Sequence, residues 1–493
     1  MTPAFNRYPW MPIFFIRLQV KKSIQSTSQT TGTGFIPKLF RYILLTVPAA
    51  VVTGSIVSFF LWLLNSAIHF RFAHPWLLFL LPLAGILIHL IYQSAGKSSE
   101  KGNNLIIEEI HQPGGGVPPK MAPVILITTI ITHLFGGSAG REGTAVQIGG
   151  SIAALFSKWF RLNPEDTGIL LTAGIAAGFG AVFGTPLTGA VFAIEVLTVR
   201  RIKFNAFLPA LAASIIADLT VSAWGIHHTL YRIDHIIQVS FNTAYLSFNL
   251  LLVIKVILAA IAFGLASYLF TVMAHQLKAF FNRMIRRQWL IPVTGGLIII
   301  GLTYLNGKQD YLSLGVDPQY AGAVTIPSAF HAAGADSWSW LWKTIYTTLT
   351  LSTGFKGGEV TPLFYIGATL GNTLSALLNA PVSLFAALGF IAVFAGATNT
   401  PAACTLMGIE LFGPEYAIFF AIACFTAYFF SGHTGIYSAQ TATYPKTAEP
   451  SETADQRKTE KTQAHPVKIY WSAKLYKYKI SLWKKQKSDH AKE

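Results

Sequence analysis

Long apolar segments alternate with short polar ones from about residue 42 to residue 430. Two apolar segments, at about 42–65 and 75–93, precede a polar stretch rich in Gly and Pro at about 95–121. Further apolar segments lie at about 122–135, 145–160, 168–182, 186–198, 206–224, 246–274, 289–304, 338–353, 361–378, 381–396, 401–412 and 415–430. Segments of this composition are typical of membrane-embedded helices. The pattern therefore predicts an all-α, polytopic membrane protein.

Several of the apolar segments are shorter than the ~20 residues that a helix needs to cross the hydrocarbon core. Irregular backbone at membrane depth must be buried in protein or line a cavity, because lipid cannot satisfy its polar groups. Short helices interrupted by Gly and Pro are therefore typical of the binding sites of transporters. We expect many tilted, partly broken helices around such a site.

Composition supports the same class of protein. Hydrophobic residues make up 52% of the chain and charged residues 12%, and the mean hydropathy is +0.48. Soluble domains carry about 25% charged residues. The net charge of +16 comes from Lys and Arg concentrated near the chain ends and in short loops, as the positive-inside rule predicts for membrane proteins. This distribution favours a lipid bilayer as the partner and does not favour nucleic acid.

Charge also divides the chain into three parts. We interpret 1–39 as a basic arm, 40–440 as the transmembrane domain and 441–493 as a polar, basic tail. The first 99 residues contain no acidic residue, and the tail carries 12 Lys or Arg against 6 Asp or Glu. Six basic residues precede the first apolar segment: Arg7, Arg17, Lys21, Lys22, Lys38 and Arg41. Both termini are therefore predicted to be cytoplasmic. We expect the protein in a bacterial-type inner (plasma) membrane.

The transmembrane domain contains an internal repeat. The segment 185–196 (TPLTGAVFAIEV) is similar to 400–411 (TPAACTLMGIEL), and 140–149 (GREGTAVQIG) is similar to 358–367 (GEVTPLFYIG). Both pairs recur in the same order at nearly the same spacing. Two halves with matched broken helices, about 40–225 and 246–440, predict inverted-topology repeats with a site between them.

Glu142 is the most unusual of the 21 acidic residues, because it lies between Arg141 and Gly143 with apolar sequence on both sides. The start of a helix offers free backbone N–H groups and a positive dipole end to an anion. Acids inside membranes are costly and usually functional. We therefore expect an anion site that the carboxylate of Glu142 also occupies. A structural salt bridge with Arg141 is the alternative.

Four motifs in order resemble the CLC family of chloride channels and anion/proton antiporters. The GREGT sequence at 140–144 is similar to the family signature G-[KR]-E-G-P, with Thr144 in place of Pro. The stretch 351–371 is similar to its second signature, and a matched helix pair follows each signature. The segment 431–440 (SGHTGIYSAQ) resembles the final family helix, which carries a Tyr to the central anion. The resemblance covers about 40–440.

This resemblance implies a CLC-like fold, a homodimer with one pathway per subunit, no cofactor and no metal. Glu142 is then the gating and proton-coupling residue. It swings away when protonated and competes with the anion when ionised. The residues that the resemblance assigns to the anion are Gly140, Arg141, Gly143, Gly358, Val360, Thr361, Tyr437 and Asn103.

Departures from the chloride motifs indicate the fluoride/proton antiporter branch of the family. Asn103 replaces the serine of the first family motif, and Val360 stands where chloride transporters have Phe. Thr361, beside Val360, offers a compact donor to a strongly hydrated anion. Fluoride export in exchange for protons is therefore expected. A chloride/proton antiporter or a passive chloride channel is the alternative.

Simpler roles remain open for three of these residues. Thr361 is also suited to capping a helix, Tyr437 to the aromatic belt at the membrane interface and Asn103 to a turn. Glu195 and Glu410 occupy equivalent repeat positions, which favours a shared structural role at helix ends. Chloride antiporters carry an inner proton-transfer Glu one residue after the position of Glu195. That place holds Val196 here, so the inner relay is absent or replaced.

Other chemistry is not favoured. His133 and His433 lack partners at metal-ligand spacing, and no second catalytic carboxylate accompanies Glu142 at helical spacing. An intramembrane enzyme is therefore not expected. Cys404 and Cys424 both lie in apolar segments and are predicted to be buried thiols.

Overall fold

Fifteen α-helices account for most of the computed structural model, which describes residues 35–199, 204–234 and 250–442. In chain order they are α1 (Phe35–Ala73), α2 (Leu81–Ile91), α3 (Asn103–His111), α4 (Met121–Leu134), α5 (Glu142–Phe160), α6 (Pro164–Phe183), α7 (Pro186–Glu195), α8 (Phe207–Ala223), α9 (Leu250–Met284), α10 (Leu290–Asn306), α11 (Ser339–Ser352), α12 (Val360–Leu378), α13 (Val382–Thr398), α14 (Pro401–Phe412) and α15 (Ala417–Phe430). The predicted all-α architecture is confirmed.

Local sequence signals explain where several helices begin and end. Proline stands in the first turn of α6, α7 and α14, as Pro164, Pro186 and Pro401. This position suits proline, because the first helical N–H groups have no partner within the helix. Arg161 after α5 and Asn379 after α12 adopt left-handed backbone, with φ of 55° and 46°, and so end their helices.

The helices repeat as the sequence predicted. Helices α4, α5 and α6 begin at 121, 142 and 164, and α11, α12 and α13 each begin 218 residues later. The helices α5 and α12 both contain 19 residues. Because the match includes bounds and order, the two halves are structural repeats.

The first half places the start of α6 beside the start of α1. Asp166, in the first turn of α6, accepts hydrogen bonds from Arg41 Nη2 at 2.9 Å and from Tyr42 Oη at 2.8 Å. Its own backbone N–H is capped by Asn163 Oδ1 at 2.8 Å. The chain therefore enters α6 from the face of the protein at which α1 begins.

The second half places the start of α13 at the opposite end of α1. Arg71, in the last turn of α1, donates to Gln309 in the loop between α10 and α11 (2.9 Å). The segment 231–234 contacts the same loop through a ring stack with Phe330 and donates a backbone hydrogen bond to Ser383 Oγ at the start of α13. Helices α6 and α13 thus begin at opposite faces, as inverted repeats require.

Close packing within each half depends on glycine. A Cβ on Gly149 of α5 would lie 2.1 Å from Gly174 O of α6. In the second half, a Cβ on Gly367 of α12 would lie 2.0 Å from Gly389 O of α13. Backbones can approach this closely only where side chains are absent, as is typical of helix packing in membranes. The equivalent pairs α5–α6 and α12–α13 form the centre of the molecule.

The lengths of the helices fit the predicted mixture of spanning and broken segments. Four segments of the described chain are long and apolar enough to cross a membrane: Phe40–Ala73, Pro75–His111, Pro164–Phe183 and Leu250–Met284. Seven other apolar segments contain only 10–17 residues. Helix α1 alone extends over about 58 Å at 1.5 Å per residue, which exceeds the hydrocarbon thickness of ~30 Å.

Three expectations from the sequence need correction or lie outside the description. Helix α1 begins at Phe35, inside the predicted arm 1–39, and α3 lies within the stretch that we interpreted as a polar insertion. At the other end, β2 (Thr441–Ala442) pairs in parallel with β1 (Thr198–Val199), so the tail begins with paired backbone. The remainder of the arm and of the tail lies outside the described residues.

Glu195 and Glu410 cap helices of the opposite repeat. The carboxylate of Glu195, at the end of α7, accepts backbone hydrogen bonds from Ala402 (3.1 Å) and Ala403 (2.7 Å) in α14. Glu410 in α14 accepts from the N–H groups of Leu187 (2.9 Å) and Thr188 (2.7 Å) in α7. The shared role at helix ends is therefore confirmed for this pair of carboxylates.

Replacing either carboxylate by an amide should weaken the fold. We expect Glu195→Gln and Glu410→Gln each to destabilise the protein by about 1–2 kcal/mol, because a neutral amide with one acceptor oxygen cannot serve two helix N–H groups as a carboxylate does. Thermal unfolding in detergent measures the loss. The control is Glu415→Gln, at an exposed position. Equal unfolding temperatures in all three variants would contradict the capping role.

Candidate functional site

Two glycine-rich loops meet between the repeats. Gly140 and Gly358 form an antiparallel backbone pair, with Gly140 N–H to Gly358 O at 2.6 Å and Gly358 N–H to Gly140 O at 2.7 Å. Helix α5 begins two residues after the first glycine, and α12 begins two residues after the second. The pairing therefore brings two helix N-termini together, and their free N–H groups and dipoles favour a negative charge between them.

The carboxylate of Glu142 occupies this position. Its Oε1 accepts from Thr361 Oγ1 at 2.5 Å, and its Oε2 accepts from Thr361 N at 3.0 Å and Arg141 N at 3.1 Å. The side chain is 1% exposed. Arg141 Nε lies 3.5 Å from Oε1, so the ion pair that we considered as an alternative is also present. Glu142 belongs to one repeat, and the donor residue Thr361 belongs to the other.

Thr361 uses its hydroxyl on Glu142, not on its own helix. The cap of α12 is Glu359, and α12 has no side-chain cap. The simpler capping role considered for Thr361 is therefore not observed. Val360, beside it, is 2% exposed and presents only an apolar side chain. Together these residues form a wall with two close donors, one N–H and one O–H, and no bulky group.

Asn103 lies at the start of a helix, and the interpretation of this residue as part of a turn is wrong. It is the first residue of α3, and a Cβ on Gly143 would lie 3.2 Å from its Nδ2. Its Oδ1 is buried and has no hydrogen-bond partner among the described residues. The amide of Asn103 thus packs directly against the start of α5. The structure therefore adds a third helix N-terminus to the two predicted from the repeat.

The neighbouring asparagine attaches the final described segment to this helix. Asn104 Oδ1 accepts the N–H of Ala439 at 3.0 Å. This contact holds the segment 431–440 across the start of α3 and brings Tyr437, only 7% exposed, to the same cavity as Asn103. Its hydroxyl makes no hydrogen bond within the described part of the chain. Tyr437 is therefore a buried cavity residue and not a residue of the aromatic belt.

A cavity of about 270 Å³ lies on this side of the site. Asn103, Tyr437 and Glu359 line it together with Lys278 and Lys356. The Lys356 ammonium lies 4.2 Å from the centre of the Tyr92 ring, a cation–π contact that holds it in the cavity wall. Lys101, which is paired with Glu108, and Glu100 also line this cavity, which is partly open. Lysines therefore outnumber carboxylates around it, and this balance favours anions.

Glu359 is a functional candidate that the sequence reasoning missed. Its Oε2 would lie 3.7 Å from a Cβ on Gly143, so the side chain extends from α12 toward the start of α5. It also faces the cavity that contains Tyr437. The signal was present in the sequence, because Glu359 is an acid beside Val360 in a mostly apolar segment. We considered the hydrogen-bond donors of this motif and therefore selected Thr361, not the neighbouring acid.

His133 and the two cysteines are buried packing residues. His133 is buried, with Nδ1 3.3 Å from Ser313 Oγ. Within the described ranges, no group of three or more His, Cys, Asp and Glu side chains is arranged to hold a metal ion. Cys404 and Cys424 are free and buried, as predicted.

Comparison with known proteins identifies the family. Residues 83–432 match the family described as "Voltage gated chloride channel". The chain belongs to the CLC family. A "Chloride/fluoride channel protein" of Pseudomonas syringae pv. tomato is 46% identical over 416 residues, which cover 84% of this chain and 89% of the relative. The "H(+)/Cl(-) exchange transporter ClcA" of Vibrio cholerae is 29% identical over 325 residues, covering 60% of this chain and 66% of that protein.

Solved structures show the same fold. The crystal structure of a CLC-type fluoride/proton antiporter matches with a TM-score of 0.76 and 33% identity, covering 83% of this chain and all of that one. A slow cyanobacterial Cl⁻/H⁺ antiporter matches with a TM-score of 0.66 and 17% identity, covering 80% of this chain and 96% of the other. Our CLC-family chain is thus a membrane protein, as its apolar helices indicate.

The loop pairing should not tolerate a side chain. A Cβ on Gly358 would lie 2.7 Å from Gly143 N, a backbone atom that cannot move without separating the two helix starts. We expect Gly358→Ala to lower the unfolding temperature strongly and to reduce the recovery of monodisperse protein in detergent. The control is Gly301→Ala in α10, where nothing lies within 4 Å and alanine should stabilise the helix by about 0.5–1 kcal/mol. Wild-type stability of Gly358→Ala would contradict the tight pairing.

Proposed function

We propose that this CLC-family protein exports fluoride in exchange for protons across the inner (plasma) membrane. The observation that carries the proposal is the placement of the Glu142 carboxylate on the N–H and O–H groups of Thr361. A carboxylate in this position imitates a bound anion. Relatives whose names include fluoride, at 46% and 33% identity, support the choice of substrate. No catalysed reaction is part of the proposal.

Exchange follows from competition for one set of donors. Ionised Glu142 satisfies Thr361 and closes the site. Protonation removes the charge that holds the carboxylate there, so that the side chain leaves and fluoride takes its hydrogen bonds. When the proton is released, the carboxylate returns and displaces the anion. One proton therefore moves on Glu142 each time the site exchanges its occupant.

Fluoride selectivity rests on short, strong donors. The charge density of fluoride makes its dehydration expensive, so the protein must supply compact hydrogen-bond donors close to the ion. Thr361 supplies one N–H and one O–H. The side-chain amide of Asn103 and the phenol of Tyr437 lie in the wall of the adjoining cavity. Gly140 and Gly358 bond to each other through their backbone groups and hold the two helix starts together, and Gly143 leaves the start of α5 without a side chain toward Asn103.

Glu359 is the second proton-carrying group in this mechanism. Val196 leaves the inner relay position of chloride antiporters without an acid, whereas Glu359 lies between the start of α5 and the cavity. Its carboxyl group faces the same cavity as Tyr437, Lys278 and Lys356. We propose that protons pass between Glu142 and the inner solution through Glu359, and that Lys278 and Lys356 attract fluoride into the cavity.

The assembly and orientation are part of the same proposal. We propose a homodimer with one pathway in each subunit and with both termini in the cytoplasm. The six Lys and Arg residues that precede the first apolar segment support this orientation. Fluoride that enters a cell as the neutral acid ionises inside, so export toward the outside uses the inward proton gradient directly.

A chloride/proton antiporter or a passive chloride channel is the second candidate, favoured by the chloride in the names of the relatives. Purified protein in liposomes separates these functions. We expect fluoride efflux, measured with an ion-selective electrode, to be much faster than chloride efflux, and an imposed proton gradient to drive fluoride uphill. Equal or faster chloride efflux would reject fluoride as the substrate, and efflux without proton movement would indicate a channel.

Glu142 carries the proton coupling in this mechanism. We expect Glu142→Gln to lose fluoride-driven proton uptake, down to the level of protein-free liposomes, because a permanently neutral amide cannot carry a proton. Proton uptake is measured with a pH electrode in weakly buffered liposomes. Glu415→Gln, at an exposed position far along the chain, is the control. Proton uptake by Glu142→Gln at the wild-type rate would disprove the role of this residue.

A further inference from the structure

Two buried threonines hold the glycine-rich loops from outside the anion site. Thr132, in α4, accepts a hydrogen bond at Oγ1 from the backbone N–H of Lys356 (3.2 Å). The same hydroxyl donates to Thr128 O, one turn back in its own helix (3.0 Å). Lys356 lies in the loop of the second repeat, two residues before Gly358. A helix of the first repeat therefore holds the loop of the second.

The second repeat makes the reciprocal contact. Thr350, in α11, accepts at Oγ1 from the backbone N–H of Ser138 (3.1 Å) and donates to Tyr346 O (2.7 Å). Ser138 lies two residues before Gly140, in the loop of the first repeat. Thr132, Ser138 and Gly140 of the first repeat each have a counterpart of the same role 218 residues later: Thr350, Lys356 and Gly358. The two loops are thus held by a crossed pair of identical hydrogen bonds.

Three of the four residues in these bonds are fully buried, and Lys356 is partly buried. Thr132, Thr350 and Ser138 have no exposed surface. A buried N–H that loses its acceptor is costly, so the Ser138 amide favours the position that Thr350 provides. The Lys356 amide is partly buried, and Thr132 provides its acceptor. These two bonds and the two between Gly140 and Gly358 make four hydrogen bonds. They hold residues 138–140 of the first loop and residues 356–358 of the second. The separation of the α5 and α12 starts is therefore restrained on both sides of the glycine pair.

The threonine methyl groups contact the same loop. A Cβ on Gly137 would lie 2.6 Å from Thr132 Cγ2 and 3.2 Å from Thr350 Cγ2. Valine at either position keeps a methyl group there but removes the acceptor. Serine keeps the acceptor but removes the methyl group. The two substitutions therefore separate the hydrogen bond from the packing.

We propose that Thr132 and Thr350 are positioning residues that fix the spacing of the two helix N-termini and thereby the discrimination between fluoride and chloride. This inference rests on the proposed function. Fluoride is the smaller anion, and a site whose walls are held close by backbone hydrogen bonds suits it. Freeing one loop lets the walls separate, and the site then accommodates the larger chloride ion.

Hydrogen exchange tests the crossed contacts without reference to transport. We expect Thr350→Val to speed amide exchange in the peptide that contains Ser138, and Thr132→Val to speed exchange in the peptide that contains Lys356, each by roughly tenfold. Thr350→Ser and Thr132→Ser should keep wild-type exchange at these amides. The control is Thr348→Val in α11, which removes a buried hydroxyl that donates only within its own helix. Unchanged exchange in both valine variants would overturn the positioning role.

The fluoride-to-chloride efflux ratio tests the consequence for selectivity. We expect this ratio to fall by roughly tenfold in Thr132→Val and Thr350→Val, as for the loss of one buried hydrogen bond, and to stay near wild type in the serine variants and in Thr348→Val. If the valine variants show faster amide exchange but keep the wild-type fluoride-to-chloride ratio, the two threonines do not control selectivity. Wild-type protein that carries no fluoride would reject the proposed function, and the exchange pattern would still decide the positioning claim.

Discussion

The pairing of Gly140 with Gly358 is the contact on which the site depends. Two backbone hydrogen bonds join the repeats at the point where α5 and α12 begin, and the carboxylate of Glu142 is thereby brought onto Thr361 of the opposite repeat. Neither repeat contains both groups. The inverted arrangement of α6 and α13 around this pair follows from the same requirement, because only oppositely directed halves bring the two helix starts together.

One kind of interaction, a carboxylate at a helix N-terminus, recurs in this protein in two different surroundings. Glu195 and Glu410 bind the starts of helices from the opposite repeat and hold the halves together. Glu142 makes the same kind of contact, but it lies beside a cavity that contains lysines and a second carboxyl group. The difference lies in the surroundings. The contacts of the first two acids are between α7 and α14, whereas Gly143, the residue after Glu142, packs against Asn103 and Glu359, which line the cavity.

Much of this arrangement could be predicted, because apolar periodicity, proline starts and the repeated motifs are local signals. The apolar segments at 145–160 and 361–378 predicted where α5 and α12 end and came within three residues of their starts. The repeat predicted a site between the two halves, and the family resemblance selected Thr361. The helix that begins at Asn103 was hidden in a polar stretch, since its two buried isoleucines gave too short a pattern. The roles of Glu359 and Thr350 depend on which loop lies opposite each side chain, and sequence spacing within one repeat contains no information about that.

The central claim is that Glu142 and the anion compete for the same donors, and fluoride binding measured against pH tests it most directly. Isothermal titration of purified protein gives the affinity for wild type and for Glu142→Gln. The account predicts that wild type binds fluoride more tightly as the pH falls, because protonation removes the competing carboxylate, and that the affinity of the glutamine variant does not change with pH. The same pH dependence in both proteins would contradict it.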